Sequence, residues 1–297
     1  MVYVTWLGTA GILLSDHETN ILIDPYVSRY GLLKIFCGFP LPPKTENIKT
    51  WMERLGLLKN PLNAVCVSHS HFDHCLDAPF FAKEASALLM GSESTMNVGR
   101  GAGLAENSLR RVDANDTIDI GAFSLKFIQS AHGPALLGRV PYPGFIDKPL
   151  AVPQPAKSYK LGQTFSILVS HPAGTIVHHG SAGFIPGMYE GEQADAVLLG
   201  IAGRGDTDAY LKHVPLALQA KRLIPIHFDN FFLPLEKPLK KLPGVRFQEF
   251  VASAQKYQKD FALRVLPVGE RTLILPADQE ISRRVRKEAI FRRLEDR

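Results

Sequence analysis

The sequence has few cysteines and no long apolar run. Its 297 residues include three cysteines and no Cys-x-x-Cys pair, an odd number that predicts reduced thiols in a cytoplasmic protein. No run of about 18 uncharged apolar residues occurs, so no transmembrane helix is predicted. The first residues lack a basic segment and a small-residue cleavage site, which indicates a strand rather than a signal peptide.

Charge of one sign is also scarce. The chain carries 34 Lys+Arg against 29 Asp+Glu, a net charge of +5, and much of this excess lies at 283–293. Charge alone therefore does not imply a nucleic-acid partner. The sequence is 45% apolar and 21% charged, which is typical of a soluble globular protein with a substantial core. Because no fixed-period repeat or long linker is found, a single domain is predicted over 1–297.

Short β-rich runs and helical spacings alternate along the chain. Strands are predicted at 2–7, 11–15, 20–23, 64–67, 88–91, 124–129, 160–169, 175–178, 196–201 and 223–226. Helices are predicted at 44–57, 78–87, 207–221, 247–259 and 279–294. Since strands occur both in meanders and in strand–helix alternation, we expect a layered α/β fold.

Residues 67–74 read Val-Ser-His-Ser-His-Phe-Asp-His and directly follow an apolar stretch. His69 and His71 are two apart, so an extended backbone directs both side chains to one side. Asp73 and His74 follow where the chain turns and can face a second position. Histidines also cluster in solvated loops, but four ligand-type residues at this spacing behind a buried strand favour a metal site for more than one ion.

A site built on three imidazoles needs ligands from elsewhere in the chain. His132 follows the predicted strand at 124–129, and His227 follows the one at 223–226. A single histidine after a strand is more often an ordinary loop residue. The prediction for His132 and His227 therefore depends on their sharing one sheet edge with residues 69–74.

Two further segments have open roles. Residues 133–156 contain six prolines and are too irregular for a helix or a central strand. This loop is either a lid or substrate wall beside His132, or a segment that covers the core or serves oligomer contacts. The basic tail at 279–297 is predicted as a helix that docks on its own domain, and contact with a membrane surface is the less favoured alternative.

These motifs together resemble the metallo-β-lactamase superfamily. The resemblance spans about residues 2–275 and is closest to the branch of ascorbate-6-phosphate lactonase-like proteins and the N-acylphosphatidylethanolamine-hydrolysing phospholipase D. It is carried by Thr-Trp-Leu-Gly-Thr-Ala-Gly at 5–11, Ile-Leu-Ile-Asp-Pro at 21–25, the histidine run, His132, and Pro-Ile-His at 225–227.

The resemblance implies an αββα sandwich with the metals at one edge of the two sheets. By position, His69, His71 and His132 would bind one metal. Asp73, His74 and His227 would bind the other. Asp24 matches the carboxylate that closes the first motif and is expected to support the ligand loop without binding metal.

The sequence departs from this family at Ser181, where relatives carry an aspartate that bridges both ions. Because a hydroxyl is a much poorer ligand than a carboxylate, we expect the second metal to bind more weakly. One subclass of the true metallo-β-lactamases also has serine there. His179 lies two residues before Ser181 and is expected to approach the site, as a substitute ligand or a supporting or packing histidine, with His178 facing away.

The ligand set predicts hydrolysis. Three neutral imidazoles leave a metal its full charge and lower the pKa of bound water to about 7, which gives a metal-bound hydroxide at neutral pH. Asp73 is the predicted catalytic residue, since it can orient the hydroxide and accept its proton. The expected cofactor is one or two Zn²⁺ ions, with Mn²⁺ or Fe²⁺ as alternatives.

Three function classes follow from these residues. The leading one is a metal-dependent hydrolase for a small-molecule ester, lactone or phosphodiester. The second is a phospholipase-like enzyme for acyl-chain substrates, suggested by the apolar segment at 133–156. The third is a non-catalytic metal-binding member, suggested by Ser181. No nucleic-acid partner is expected.

Overall fold

The computed structural model describes residues 1–276, which form two seven-stranded sheets. The predicted helix at 279–294 and the tail at 279–297 lie outside these described residues. The first sheet has the order β14-β1-β2-β3-β4-β5-β6 and the second the order β13-β12-β11-β10-β9-β8-β7. The strands of the first sheet are β1 (Val2–Trp6), β2 (Ile12–Ser15), β3 (Asn20–Ile23), β4 (Ala64–Cys66), β5 (Leu88–Gly91), β6 (Leu109–Arg111) and β14 (Arg271–Leu275).

The second sheet mirrors the first in its pairing. Its strands are β7 (Thr117–Ile120), β8 (Phe123–Gln129), β9 (Phe165–His171), β10 (Gly174–His179), β11 (Ala196–Gly200), β12 (Arg222–Ile226) and β13 (Ala262–Leu263). In each sheet an antiparallel meander continues into parallel strands, from β3 to β6 in one and from β10 to β13 in the other. Parallel strands need covered faces, and helices cover the outer faces.

The helices are α1 (Leu32–Phe36), α2 (Thr45–Arg54), α3 (Phe72–Cys75), α4 (Ala78–Ala85), α5 (Glu93–Gly101), α6 (Thr207–Leu211) and α7 (Phe247–Gln255). The alternation within β4 shows how the layers form. Ala64 and Cys66 belong to the core between the sheets, whereas Val65 packs in the second core, under α2 and α4. Because side chains alternate along a strand, three consecutive buried residues serve two cores. This four-layer arrangement confirms the predicted αββα sandwich.

One edge of the sandwich collects strand ends. β3 and β4 run parallel and end at Ile23 and Cys66, so the residues that follow them lie side by side, and the Asp24 amide donates to the Cys66 carbonyl at 2.9 Å. β12 ends at Ile226, directly before the histidine predicted as a ligand. The fold therefore brings residues from distant parts of the sequence to a common edge.

Two predicted elements have other bounds in the structure, and helix α5 was not predicted. The strand predicted at 160–169 begins only at Phe165, because the amides of Leu161 and Gly162 bond to the carbonyls of Tyr142 and Gly144 in the proline-rich loop. Helix α5 was missed, since its sequence is rich in residues of low helix propensity and is started by the cap residue Ser92. The helix predicted at 207–221 is α-helical only over 207–211. It continues as a π-helical turn over 212–216, which contains Pro215, and proline has no amide proton to donate.

The edge strands β6, β7 and β14 were also missed. β6 and β7 are short and carry only intermediate or exposed residues, so their apolar pattern is weak. β14 was missed although three of its five residues are buried. None of the helices within residues 1–276 combines the length and the apolar character required to cross a bilayer.

Candidate metal centre

The histidine run forms the loop between β4 and α3. His71 has extended backbone angles and precedes α3, so His69 and His71 lie on extended chain while Asp73 and His74 lie in the helical turn. All four side chains are buried. The change from extended to helical backbone sends the first pair to one position and the second pair to a neighbouring one, as the spacing predicted.

Triad 1 consists of His69, His71 and His132. One nitrogen from each ring lies within 4.8 Å of the others, and the ring centroids are 4.8 to 4.9 Å apart. His132 follows β8 and forms an isolated bridge with Ala182. The structure thus brings His132 to the loop at 69–71, across 61 residues of sequence or more.

The hydrogen bonds of triad 1 determine which nitrogen of each ring faces inward. Ser68 Oγ donates its proton to Asp24, so His69 Nδ1 at 3.1 Å must donate to Ser68 Oγ, leaving Nε2 free. His71 donates from Nε2 to the Pro141 carbonyl at 2.9 Å, and His132 donates from Nδ1 to the Gly133 carbonyl at 2.7 Å. Each ring is therefore anchored by one nitrogen and presents the other as a lone pair.

This donor set fits a metal ion. His69 Nε2 is buried and has no hydrogen-bond partner, an arrangement that is costly unless another group satisfies it. Burial and the neighbouring histidines hold the pKa of His69 well below its usual value. Burial likewise lowers the pKa of His71 to about 3 and that of His132 to about 4. Neutral imidazoles at pH 7 are the form that binds a divalent cation.

Triad 2 consists of Asp73, His74 and His227, whose ligand atoms also lie within 4.8 Å of one another. Asp73 Oδ2 is 3.2 Å from His227 Nε2 and 3.8 Å from His74 Nε2. Burial favours a higher pKa for Asp73, but His74 and His227 outweigh it and keep that pKa well below the usual range. The carboxylate is therefore ionised and supplies one negative charge.

Asp24 connects the two triads. It is fully buried, and its Oδ2 accepts from His74 Nδ1 at 2.8 Å and from Ser68 Oγ, while Oδ1 accepts from the Ser68 amide at 2.7 Å. Burial by itself would raise the pKa of Asp24, but the interactions with His74, His178 and Ser68 outweigh burial. The net pKa is below its usual value, so the carboxylate stays ionised. Asp24 orients His74 directly and His69 through Ser68, as expected for a residue that supports the ligand loop.

His227 is held by residues that the sequence analysis missed. Its backbone has a φ of +55° and its amide donates to the Thr9 carbonyl at 2.7 Å. Two residues later, Asp229 accepts from the Thr9 amide at 2.7 Å and pairs with Arg29 at 2.8 Å. At Gly8, a Cβ atom would lie 2.2 Å from Arg29 Nη2, so only glycine leaves room for the Arg29–Asp229 pair. The Gly-Thr-Ala-Gly segment at 8–11 was therefore the sequence signal for the contacts that hold His227.

Ser181 lines the cavity beside the triads. Its hydroxyl donates to the Ala131 carbonyl at 2.9 Å. Position 180 has no room for a larger residue, since a Cβ there would lie 2.9 Å from His178 and 3.0 Å from Asp24. Position 181 thus carries a neutral side chain that is bonded to the backbone and supplies no bridging charge.

His178 and His179 face the opposite sides from those expected, and His179 is a packing histidine, one of the alternatives left open for it, and not a substitute ligand. His179 contacts Tyr189 with Nδ1 at 2.7 Å and the Gly183 carbonyl with Nε2 at 2.6 Å, so both nitrogens are occupied on the far side of β10. His178 faces the site, with Nε2 2.8 Å from the Ala10 carbonyl and 3.9 Å from Asp24. The expectation assumed that residues two apart in a strand face the same side. It failed because β10 ends at His179 and the chain turns before Ser181.

A cavity of about 500 Å³ opens onto both triads. His71, Asp73, His132 and His227 lie among its lining residues, and the loop segment 134–142 forms one wall. Farther along the same loop, Ile146 is buried in the core under the helices. The proline-rich loop therefore serves as a wall in its first half and as core covering in its second.

Comparison with known proteins agrees with this geometry. The family model described as the metallo-beta-lactamase superfamily matches residues 4–200. A "UPF0173 metal-dependent hydrolase" from Desulforamulus reducens is 26% identical over 90% of this chain and 97% of the relative. Among solved structures, Igni18, described as a novel metallo hydrolase from Ignicoccus hospitalis, covers 91% of this chain and 97% of its own, with a TM-score of 0.59 and 17% identity.

A second solved structure is the isothiocyanate hydrolase from Delia radicum gut bacteria. It covers 92% of this chain and 99% of its own, with a TM-score of 0.56 and 16% identity. Because the family model matches more than half of the sequence, this chain belongs to the metallo-β-lactamase superfamily. The predicted superfamily is confirmed, and the relatives it resembles in sequence carry the name of metal-dependent hydrolases.

Proposed function

We propose that this protein is a metal-dependent hydrolase that activates water for attack on an ester, lactone or phosphodiester. The observation that carries the proposal is the pair of buried triads on the floor of one cavity, with His69 Nε2 left without a protein partner. A divalent metal bound by three neutral imidazoles supplies Lewis-acid activation of water at neutral pH.

Asp73 is the catalytic residue in this proposal. Its carboxylate is ionised, borders the cavity and lies next to His227 and His74. An ionised carboxylate at this place orients the attacking water and accepts its proton. Asp24 is buried away from the cavity and acts only by positioning His74 and Ser68.

The proposed cofactor is one or two Zn²⁺ ions, with Mn²⁺ or Fe²⁺ as alternatives, because imidazole and carboxylate ligands suit all three. Triad 1 would hold the first ion. Triad 2 would hold a second, with lower affinity because Ser181 supplies no bridging charge. The proposed substrate is a small molecule, and the cytoplasm is the proposed location.

The test begins with metal analysis of protein purified without chelator. Activity is then measured with zinc, manganese or iron on a panel of carboxylic esters, lactones and phosphodiesters. We expect one tightly bound ion and hydrolysis of at least one substrate class, abolished by Asp73→Asn. Protein that binds no metal, or metal-loaded protein that hydrolyses no panel member, would contradict the proposal.

Two alternatives have a specific observation behind them. The apolar wall formed by the loop 134–142 favours a phospholipase-like enzyme, consistent with the narrower resemblance to a phospholipase D. Faster turnover of lipid vesicles than of soluble esters would support it. The neutral Ser181 favours a non-catalytic metal-binding member, for which His69→Ala would change stability and metal content without loss of any activity.

A further inference from the structure

The walls of the cavity above the triads are mainly apolar. Leu32, Ile35 and Phe36 of α1 line it, and so do Leu136 and Leu137 of the proline-rich loop. Phe231 and Phe232, on the segment after His227, also line it. The metal-binding side chains are therefore the polar floor of an otherwise apolar chamber, a composition typical of small-molecule sites.

The basic residues among those lining residues are both engaged by the protein. Arg204 is buried and donates to Thr207 Oγ1 and to the carbonyls of Ile201, Val245 and Arg246. Arg246 donates to the Gly205 carbonyl and pairs with Glu249 at 3.1 Å. No lysine occurs among the described residues that line the cavity. A second anionic group on a substrate, such as a phosphate remote from the metals, would find no free cation there.

The turn within the loop segment 134–142 is unusual. Leu136 and Arg139 pair across a tight turn. Its two central residues, Leu137 and Gly138, have φ of +48° and +75°. Asparagine and glycine are normally preferred at such positions, and a leucine there is strained. The Leu137 side chain is also 96% exposed. It makes the turn unfavourable and gains no burial within the described chain, although its side chain borders the cavity.

We propose, on the basis of the hydrolase function above, that the part of the substrate away from the reacting bond is an uncharged alkyl or acyl chain. It lies between α1 and the turn at 136–139, with Leu137 closing over it. The reacting carbonyl lies over the triads. The cavity volume of about 500 Å³ is in the range for a ligand of this size.

The first test measures binding and needs no turnover. Metal-loaded protein is titrated calorimetrically with n-alkanoates from butanoate to decanoate, in which the carboxylate represents the hydrolysis product. Each buried methylene should tighten binding about fourfold. Octanedioate, which adds a second carboxylate to octanoate, should bind at least about tenfold more weakly than octanoate. A flat series, no binding, or octanedioate binding as tightly as octanoate would overturn the proposal.

The second test uses Leu137→Asn, which removes the apolar tip while giving the turn a residue suited to its backbone. The gain per methylene should fall toward twofold in this variant. Leu58→Asn is the matched control, since Leu58 is 68% exposed and does not line the cavity. An unchanged chain-length series in Leu137→Asn would contradict the role of the turn.

The two proposals fail in different ways. If short esters are hydrolysed but alkanoate binding ignores chain length, the hydrolase function holds and the apolar substrate is wrong. If alkanoates bind with the expected chain-length dependence but no ester, lactone or phosphodiester of the panel is hydrolysed, the apolar site holds and the hydrolase function is wrong.

Discussion

The two triads lie side by side but are held by different kinds of contact. In triad 1 each imidazole is anchored by one neutral hydrogen bond, from His69 to Ser68, from His71 to Pro141 and from His132 to Gly133. In triad 2 the contacts are charged: Asp24, outside the triad, anchors His74, and His227 Nε2 lies close to Asp73 within the triad. His227 Nδ1 is buried without a partner.

This difference has a physical consequence for metal binding. Triad 1 offers neutral ligands that need to lose no proton, whereas triad 2 is part of an ionised network that a metal must enter. Ser181 is also neutral, so position 181 gives triad 2 no bridging carboxylate. We therefore expect triad 1 to bind metal more tightly and less dependently on pH. Four predictions test this comparison.

The largest effect is expected for His69→Ala, which removes a ligand of triad 1. Without that ligand the metal is lost and water keeps its ordinary pKa, so kcat/KM should fall by on the order of 10³-fold or more. Metal content and hydrolysis rate are the measurements. His213→Ala is the control, because His213 stacks on Phe184 outside both triads, and it should keep its metal. Full activity in His69→Ala would show that triad 1 is not the reacting centre.

Asp24→Asn should weaken both ions together. An asparagine has one acceptor oxygen and an NH2 group that cannot accept. Either the Ser68 amide or the side chains of His74 and Ser68 would therefore face a donor, and the residues that orient a ligand of each triad would lose a hydrogen bond. Removing such a supporting partner typically costs about 10- to 100-fold in metal affinity. Competition with a chromophoric chelator measures the two affinities, and Asp119→Asn, on the exposed side of β7, is the control. Weakening of only one ion would contradict the shared role of Asp24.

The pH dependence should separate the triads. Burial lowers the pKa of His71 to about 3 and of His132 to about 4, so protons do not compete with metal at triad 1 until the pH approaches these values. Burial also opposes protonation of His74, but Asp24 and Asp73 outweigh it and raise the pKa of His74 above its usual value. That proton must leave when metal binds, so affinity at triad 2 should fall about tenfold per pH unit below this pKa.

Chelator competition between pH 5.5 and 8.5 measures both slopes. Equal slopes for the two ions would remove the distinction between neutral and charged anchoring.

The smallest effect is expected for Ser181→Asp, which should bring the triads closer in affinity. A carboxylate at this position adds a negative charge between the ions and should tighten the second one roughly tenfold. Ser181→Ala removes only the bond to Ala131 and should give no gain. Metal titration followed by calorimetry distinguishes the two variants. No increase for Ser181→Asp would mean that position 181 does not reach the second ion.

Much of the centre could be predicted from local sequence. The spacing of His69, His71, Asp73 and His74 predicted a change from extended to helical backbone. The structure places the first two side chains in triad 1 and the last two in triad 2. The apolar runs predicted most strands because buried parallel strands have strong patterns. The edge strands β6 and β7 were missed because exposed, polar segments carry little periodic signal, and α5 was missed because its residues have low helix propensity.

Orientation beyond a strand end was not predictable. His178 and His179 exchanged their expected faces because the parity of a strand ceases where the strand ends. The buried pair of Arg29 and Asp229 was missed because its partners are 200 residues apart and each looks like an ordinary surface charge in sequence.

The sequence by itself determined the residue types of the centre and the layered fold, because ligand chemistry and apolar periodicity are local properties. Only the tertiary structure decided which nitrogen each histidine presents, that Asp24 serves both triads, and that an apolar wall tipped by Leu137 covers them. These depend on hydrogen bonds and packing between segments far apart in the chain, which no local pattern encodes.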